Sequence, residues 1–179
     1  ASLCGVEAAE YEQDAAKLEQ AVARDLTLHA WMLSQSGIPV IYSGDEIGQF
    51  NDWSYHDDPD KRDDSRYIHR GNLPWELASL RTDPETRQGK QFQGLRRLTE
   101  LRAAEPCFDA GADLWVEDSG SPHVLALCRR KDGRELICLF NFSREFVQAG
   151  VNRDGGYTDL MYGTRYDGLR RIEMYPDSF

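Results

Sequence analysis

The side chains that could do chemistry are concentrated in one irregular stretch, residues 51–74. It mixes carboxylates, guanidinium groups and aromatic rings, and includes Trp53, Asp63, Asp64 and Arg66. Sites that bind sugars combine aromatic rings with carboxylates and guanidinium groups, which hold hydroxyl groups in a fixed geometry. A charged surface loop whose ions simply pair with one another has the same composition, because surface ion pairs are common. The residue types alone support the two interpretations equally.

The length of this stretch is informative as well. Irregular loops this long are uncommon in compact domains and are usually either functional or disordered. Disordered segments contain few aromatic residues, whereas this stretch includes Trp53, Tyr55 and Tyr67. We therefore predict an ordered binding loop.

A second chemical candidate is the pair of adjacent carboxylates Asp45 and Glu46, which follows an apolar run. On an extended backbone, neighbouring side chains point to opposite faces. The two carboxylates therefore cannot act on one substrate atom as a catalytic pair does. We interpret them as structural residues at the end of a strand.

Neither a metal site nor a cofactor site is predicted. The acidic segment 58–63 lacks the glycine and the terminal glutamate of an EF-hand loop, and Lys61 and Arg62 partly neutralise its carboxylates. Signatures of phosphate-binding loops, dinucleotide-binding folds and Ser-His-Asp triads are missing as well.

The elements that position these residues follow from the hydrophobic periodicity. Over residues 14–35, apolar side chains recur at three- and four-residue spacing, which predicts an amphipathic helix that ends at Ser36 and Gly37. The apolar run Ile38–Tyr42 then predicts a strand that is buried on both faces. A helix followed directly by such a strand is half of a βαβ unit, so a parallel sheet is expected.

Two further helices are expected after the loop. A short one runs from Pro74 to Leu80, with the proline in its first turn. A longer one starts at the signature 82–85, Thr-Asp-Pro-Glu, and runs to about Ala104, before Pro106 ends it.

Beyond Pro106 the periodicity changes from helical to alternating, which predicts a domain boundary between residues 1–105 and residues 106–179. Six short strands without helices predict an antiparallel β-sandwich. They are Leu114–Glu117, Val124–Arg130, Glu135–Phe142, Phe146–Val151, Tyr157–Tyr162 and Arg170–Tyr175. The predicted fold class is α/β plus all-β.

The bulk composition excludes some classes of partner. The net charge is −10, whereas nucleic acids and anionic membranes are bound by basic surfaces. No apolar stretch is long enough to cross a membrane. Cys128 and Cys138 flank a turn and could face each other across a hairpin, but we expect free thiols in a reducing, cytoplasmic compartment. Because the chain begins with Ala1 and lacks an initial methionine, we expect a portion of a longer protein.

Several segments together resemble one enzyme family. The run from Gly37 to Gly48 resembles the eighth-strand segment of the α-amylase family, glycoside hydrolase family 13. The loop that follows, with Asp-Asp-Ser-Arg at 63–66, is similar to the amylosucrase branch of that family. The resemblance covers roughly residues 1–150. Its other matching segments are Phe50–Trp53, Lys61–Arg70, Pro84–Gly89, Gly94–Arg96 and Asn141–Ser143.

The resemblance implies the last part of a (β/α)8 TIM barrel followed by an antiparallel β-sandwich C-terminal domain. The family mechanism is retaining and uses an Asp nucleophile, a Glu acid and a second Asp. All three are expected on earlier barrel strands, so no catalytic residue is assigned here. Arg66 matches the loop arginine near the bottom of the glucose pocket, whose Asp partner is expected upstream. Asp63, Asp64 and Trp53 are assigned to substrate binding by proximity.

The implied activity is amylosucrase-like: sucrose is split, the glucosyl unit extends an α-1,4-glucan, and fructose is released. The alternatives are a sucrose or α-glucoside hydrolase of the same family, or a non-catalytic carbohydrate-binding β-module. The expected partners are sucrose, α-glucan and the remainder of the parent barrel, with neither nucleic acid nor membrane. The chain by itself is expected to be inactive.

Overall fold

The computed structural model describes all 179 residues, and the first part of the chain is helical. Its helices are α1 (Val6–Tyr11), α2 (Ala15–Ser34), α3 (Trp75–Ser79) and α4 (Arg87–Ala104). Short 3₁₀ turns lie between α2 and α3, at Asp45–Ile47, Trp53–Asp57 and Ser65–His69. No helix is both long and apolar enough to span a membrane.

The three predicted helices are confirmed, with one difference in a boundary. The apolar stripe of α2 is buried or half-buried at Leu18, Val22, Leu26, Ala30 and Leu33. Helix α4 begins at Arg87, several residues after the predicted start at Thr82. The reason is that Asp83 closes a turn by accepting a hydrogen bond from the Glu85 backbone N–H, 3.0 Å away. Thr86 then caps the helix by accepting from the Gly89 N–H at 3.0 Å.

The predicted strand Ile38–Tyr42 is wrong. The segment carries no strand assignment and takes part in none of the sheets. Ile38, Val40 and Tyr42 are exposed, although a strand buried on both faces was expected. A strand forms only when neighbouring strands accept its hydrogen bonds, and no other part of the chain pairs with this segment. The expected parallel sheet is consequently not found, and all strand pairs are antiparallel.

The second part of the chain forms three antiparallel sheets. The largest has the order β1-β2-β3 and the other two pair β4 with β7 and β5 with β6. The strands are β1 (Asp113–Glu117), β2 (Val124–Lys131), β3 (Arg134–Asn141), β4 (Val147–Ala149), β5 (Asp154–Thr158), β6 (Arg165–Gly168) and β7 (Ile172–Met174).

Five of the six predicted strands are confirmed to within a few residues, and one was placed too late. The predicted strand Tyr157–Tyr162 is β5, which ends at Thr158. The Asp159 carboxylate accepts from the Met161 and Tyr162 N–H groups at 2.6 and 3.2 Å, and so turns the chain there. Strand β6, which is short and polar, was missed because it has little apolar alternation.

The hairpin of β2 and β3 places Leu127 opposite Cys138 and Cys128 opposite Ile137. The two cysteines are therefore not directly opposed, and all four thiols of the chain are free in the structure.

One apolar cluster joins side chains from the three sheets. Ala126, Val151 and Leu169 are buried at its centre. Half-buried Ile137, Leu139, Tyr157, Tyr166 and Ile172 pack around them. The antiparallel sheets thus share a core, while the sandwich architecture itself stays a prediction.

By its internal contacts, the chain divides into two units. One consists of residues 1–22 and 41–93, and the other of residues 23–40 and 94–179. The candidate loop lies in the first unit and the sheets lie in the second. The domains predicted from the sequence, 1–105 and 106–179, stay a prediction.

Candidate functional site

The candidate loop, residues 51–74, is ordered by aspartates that start its two 3₁₀ turns. Asp52 precedes the first turn and accepts a hydrogen bond from the Ser54 N–H at 3.0 Å. Asp64 precedes the second and accepts from the Arg66 N–H at 3.0 Å. Aspartate favours such positions because its short side chain reaches the backbone two residues ahead. The two turns pack against each other, and Tyr55 is buried between exposed neighbours.

The base of the loop is tied together by hydrogen bonds between its two ends. The Asp52 N–H donates to the Ile68 carbonyl at 2.8 Å. The Gln49 amide donates to the Gly71 and Asn72 carbonyls at 3.2 and 3.1 Å. Because these bonds hold the ends close, the intervening residues form a closed loop with a much reduced range of conformations.

Arg66 and Asp64 form a bidentate ion pair on this loop. The Arg66 Nε lies 2.8 Å from Asp64 Oδ1, and its Nη2 lies 2.7 Å from Oδ2. The Arg66 guanidinium, helped by the Arg66 backbone N–H, lowers the pKa of the Asp64 carboxyl to about 2. The Arg66 side chain is 73% exposed. Within this chain the ion-pair partner of Arg66 is therefore Asp64, whereas the resemblance implies a partner aspartate upstream of this sequence.

The other two predicted binding residues lie apart from this pair. Asp63 is exposed and its side chain makes neither a hydrogen bond nor an ion pair within the chain. Trp53 is exposed in the first 3₁₀ turn, where its indole N–H donates to Glu7 at 3.4 Å and its ring is roughly parallel to that of His56. The structure thus brings Arg66 and Asp64 into contact, but leaves Asp63 and Trp53 without direct contact to them.

Part of the loop is paired internally, in a way that the sequence analysis did not assign. Lys61 lies 2.7 Å from Asp58. Lys61 and Arg70 also lie over the Tyr67 ring, at 5.9 and 5.3 Å from its centre, a distance at which a cation is attracted to an aromatic face. These contacts order the loop around Tyr67, and they are also what a self-paired charged loop would contain. Assignment of the loop to ligand binding stays a prediction.

Asp45 and Glu46 lie in the 3₁₀ turn that leads into the loop. A Glu46 oxygen accepts a hydrogen bond from the Gly44 N–H at 2.8 Å. Gly44 and Gly48, which flank the turn, both have positive φ, and a side chain at Gly44 would meet Gln49. The two carboxylates therefore sit in a tight turn whose glycines are required by its geometry.

Arg87 is a functional-site neighbour that the sequence analysis missed. It is buried at the start of α4 and donates to the Ile47 and Gly48 carbonyls at 3.0 and 2.7 Å. Its Nε pairs with Glu10, and its guanidinium lies 4.3 Å from the centre of the Phe50 ring. Arg87 thus holds the 3₁₀ turn Asp45–Ile47, which precedes the loop, in place. No local pattern indicated this, because an arginine in the first turn of a helix is usually exposed.

No protein-family model matches this sequence. Among curated proteins, it is similar to the 1,4-alpha-glucan branching enzyme GlgB of Corynebacterium jeikeium (strain K411). The two are 26% identical over 157 residues, which cover 80% of this chain and 19% of that enzyme. The GlgB of Nocardia farcinica (strain IFM 10152) is also 26% identical, over 144 residues.

Among solved structures, the trehalulose synthase MutB of Pseudomonas mesoacidophila MX-45 matches with a TM-score of 0.60 and 18% identity. The match covers 86% of this chain and 37% of that one. The structure of AmyP in complex with maltose matches with a TM-score of 0.62 and 16% identity, over 87% of this chain and 33% of AmyP. These similarities show that the chain shares the fold of about a third of each enzyme.

The branching enzymes, the trehalulose synthase and AmyP are all proteins of the α-amylase family. This chain spans about a fifth of the GlgB that it matches and about a third of the structural relatives.

Proposed function

We propose that this chain is part of a retaining α-amylase-family enzyme that transfers or hydrolyses α-glucosyl units. The observation that carries the proposal is the match of 86% of the chain to a third of a trehalulose synthase, at a TM-score of 0.60. The sequence similarity to glucan branching enzymes supports the same family. Structural relatives include AmyP with bound maltose and MutB with isomaltulose, which supports a saccharide substrate.

In this proposal, residues 1–105 contribute the last part of a (β/α)8 barrel and residues 106–179 a β-sandwich. The segment Ile38–Tyr42 supplies a barrel strand once strands from the remainder of the parent barrel lie on both of its sides. Its exposed apolar side chains and unpaired backbone groups support this, since such a segment pairs readily with another strand.

The finer proposal is an amylosucrase-like activity, in which Arg66 helps to hold the glucosyl unit of sucrose. The three catalytic carboxylates come from the remainder of the barrel, and none of them from this chain. Arg66 suits the role because its exposed guanidinium is oriented by Asp64, which accepts hydrogen bonds from Nε and Nη2. Its remaining nitrogen, Nη1, makes no hydrogen bond within the chain and is free to donate to a sugar hydroxyl.

Two enzyme samples test this proposal. The 179-residue chain alone should release no fructose from sucrose, because it lacks the catalytic carboxylates. A polypeptide that extends this sequence with the preceding barrel strands should release fructose and build α-1,4-glucan. Free glucose in place of glucan would identify the alternative, a sucrose or α-glucoside hydrolase. Release of fructose by the 179-residue chain would refute the proposal.

Variants of the extended polypeptide test the residue assignment. Arg66→Ala should raise KM for sucrose about tenfold, the effect of losing one charge-assisted hydrogen bond. Arg62→Ala is the matched control, because Arg62 is also exposed on the loop and makes no contact with Asp64. Equal kinetics in the two variants would remove Arg66 from the site.

A second candidate function is a non-catalytic carbohydrate-binding β-module. The observation that favours it is a pair of exposed aromatic rings, Phe146 and Tyr175, whose centres lie 5.5 Å apart edge to face. Maltoheptaose titrated into the 179-residue chain should then give a saturable calorimetric signal that Phe146→Ala abolishes. Tyr162→Ala is a suitable control, since Tyr162 is also exposed but takes part in no ring pair. Absence of any heat change would exclude this candidate.

A further inference from the structure

A pocket of about 200 Å³ lies at the base of the loop. Its walls come from the two ends of the loop, residues 49–52 and 71–72, and from Pro74, Leu77 and Arg87. The ion pair of the loop is not part of its lining. We propose that this pocket, whose lining does not include Arg66, binds one neutral sugar ring, a hexose.

The two walls of the pocket are fixed before any ligand enters. The Gln49 amide donates to the carbonyls of Gly71 and Asn72 on the opposite wall. Gly71 lies so close to Asp52 that a Cβ built on it would be 2.7 Å from the Asp52 Cβ. Binding of a ligand therefore costs little conformational entropy, because the pocket does not have to become ordered first.

Several polar groups in the lining have no competing partner within the chain. The side-chain amides of Asn51 and Asn72 make no intramolecular hydrogen bond. Asp52 uses one carboxylate oxygen, Oδ1, for the N–H and hydroxyl of Ser54, which leaves Oδ2 as a free acceptor. Amides both donate and accept, and a carboxylate accepts, so together they match the hydroxyl groups of a sugar.

The charges of the pocket favour a neutral ligand over an anionic one. Arg87 is the only cation in the lining, and its Nε and Nη1 already donate to Glu10 and to the Ile47 and Gly48 carbonyls. Hydrogen bonds from Ser54 lower the pKa of Asp52, so this carboxylate is charged at neutral pH. A phosphate or carboxylate ligand would meet that negative charge, and the only cationic donor left for it would be Nη2 of Arg87, which already shares its charge with Glu10.

The apolar part of the lining and the pocket size complete the match. Phe50, Pro74 and Leu77 present carbon atoms to the pocket, which suits the C–H face of a sugar ring. Sites for drug-sized ligands occupy roughly 300–1,000 Å³, so a pocket of about 200 Å³ fits a single ring better than an extended oligosaccharide.

The test is a titration of the ¹⁵N-labelled 179-residue chain with glucose, followed by NMR. We expect saturable shifts of the Asn51, Asn72 and Gln49 side-chain amides, with a dissociation constant of roughly millimolar. Asn72→Ala should weaken glucose binding about fivefold, the effect of losing one hydrogen bond. The matched control is Asn152→Ala, an exposed asparagine outside the pocket that should leave binding unchanged.

Glucose 1-phosphate should bind this pocket more weakly than glucose. Tighter binding of the phosphate, or absence of saturable shifts at the three pocket amides, would overturn the inference. The choice of glucose as the probe rests on the proposed function, but the two fail separately. Fructose release and the Arg66→Ala kinetics test the enzyme, whereas the pocket amides report this site alone.

Discussion

Two apolar runs of the chain have similar side chains, but one is exposed and the other is buried in a sheet. The run Ile38–Tyr42 leaves Ile38 92% exposed and Val40 76% exposed. The run Val124–Cys128, at the start of β2, has Ala126 and Cys128 fully buried. Both contain only apolar or weakly polar side chains in a row, although the first run includes Pro39, which has no backbone N–H to donate to a neighbouring strand.

The difference lies in the partners of each run. Strand β2 is hydrogen-bonded to β1 on one side and to β3 on the other, in a continuous antiparallel register. The first run has no neighbouring strand. Because an extended segment satisfies its backbone groups through its neighbours, the same apolar pattern gives a buried strand in one place and an exposed segment in the other.

The largest expected effect comes from removing a buried side chain of β2. Arg129 is fully buried, and its guanidinium donates to the Ser34, Cys107 and Asp109 carbonyls. Arg129→Met should lower the free energy of unfolding by about 3 to 5 kcal/mol, because it leaves these carbonyls unsatisfied. Relief of the buried charge offsets part of the loss. Urea denaturation measures the change.

The neighbouring arginine provides the control for this substitution. Arg130 is about half exposed, lies 5.1 Å from the centre of the Trp115 ring, and pairs loosely with Glu135 at 3.8 Å. Arg130→Met should change the unfolding free energy by less than about 1 kcal/mol. Similar losses in both variants would contradict the central role that we give to Arg129.

The next effect tests side-chain burial within β2. Leu127 is 2% exposed, and Leu127→Ala should cost about 2 to 4 kcal/mol through lost apolar contacts and a residual cavity. Leu114→Ala in β1 is the matched control, because Leu114 belongs to the same sheet but is 37% exposed. A cost at Leu127 no larger than at Leu114 would show that the core does not depend on this strand.

The helices and most strands could be predicted because their signals are local. Helix α2 has a regular apolar stripe and a glycine after its end, and both act within a few residues. The hairpin of β2 and β3 likewise follows from alternation around a turn at Asp132 and Gly133, which both have positive φ. Such signals do not depend on what the rest of the chain supplies.

The site was less predictable because a loop with several carboxylates offers Arg66 more than one partner, and because other contacts of the site are not local. The loop and its charges were visible in the sequence, but the pairing of Arg66 with Asp64, two residues away, was not predicted. The role of Arg87 depends on contacts with Glu10 and Gly48, which are distant in sequence. The exposed state of Ile38–Tyr42 also depends on distant parts of the chain, since no other segment pairs with this one as a strand.

A third prediction concerns the effect of Arg66 on the pKa of Asp64. The Arg66 guanidinium lowers the pKa of Asp64 from its ordinary value of 3.8 to about 2. A carboxyl whose pKa is lower in the folded chain stabilises the fold above pH 3.8, and that contribution is lost as the pH falls from 3.8 through 2. Arg66→Ala should return the pKa of Asp64 towards 3.8, as NMR titration of its carboxyl carbon would show.

The control for this titration is Arg62→Ala, which removes a nearby charge that makes no contact with Asp64. It should leave the pKa of Asp64 near 2. A pKa that stays near 2 in Arg66→Ala would mean that the Arg66 guanidinium is not the cause of the low value.

The smallest expected effect is at the unpaired apolar run. Ile38→Ala should change the free energy of unfolding by no more than about 0.5 kcal/mol, because a side chain that is 92% exposed loses few contacts when truncated. Urea denaturation of Ile38→Ala and Leu127→Ala in parallel measures the loss of stability in the exposed run and in the buried strand. A cost above about 1 kcal/mol at Ile38 would show that the run is buried in solution, against another strand or another copy of the chain. Sedimentation velocity would then separate those two, since a second copy doubles the mass and an internal rearrangement does not.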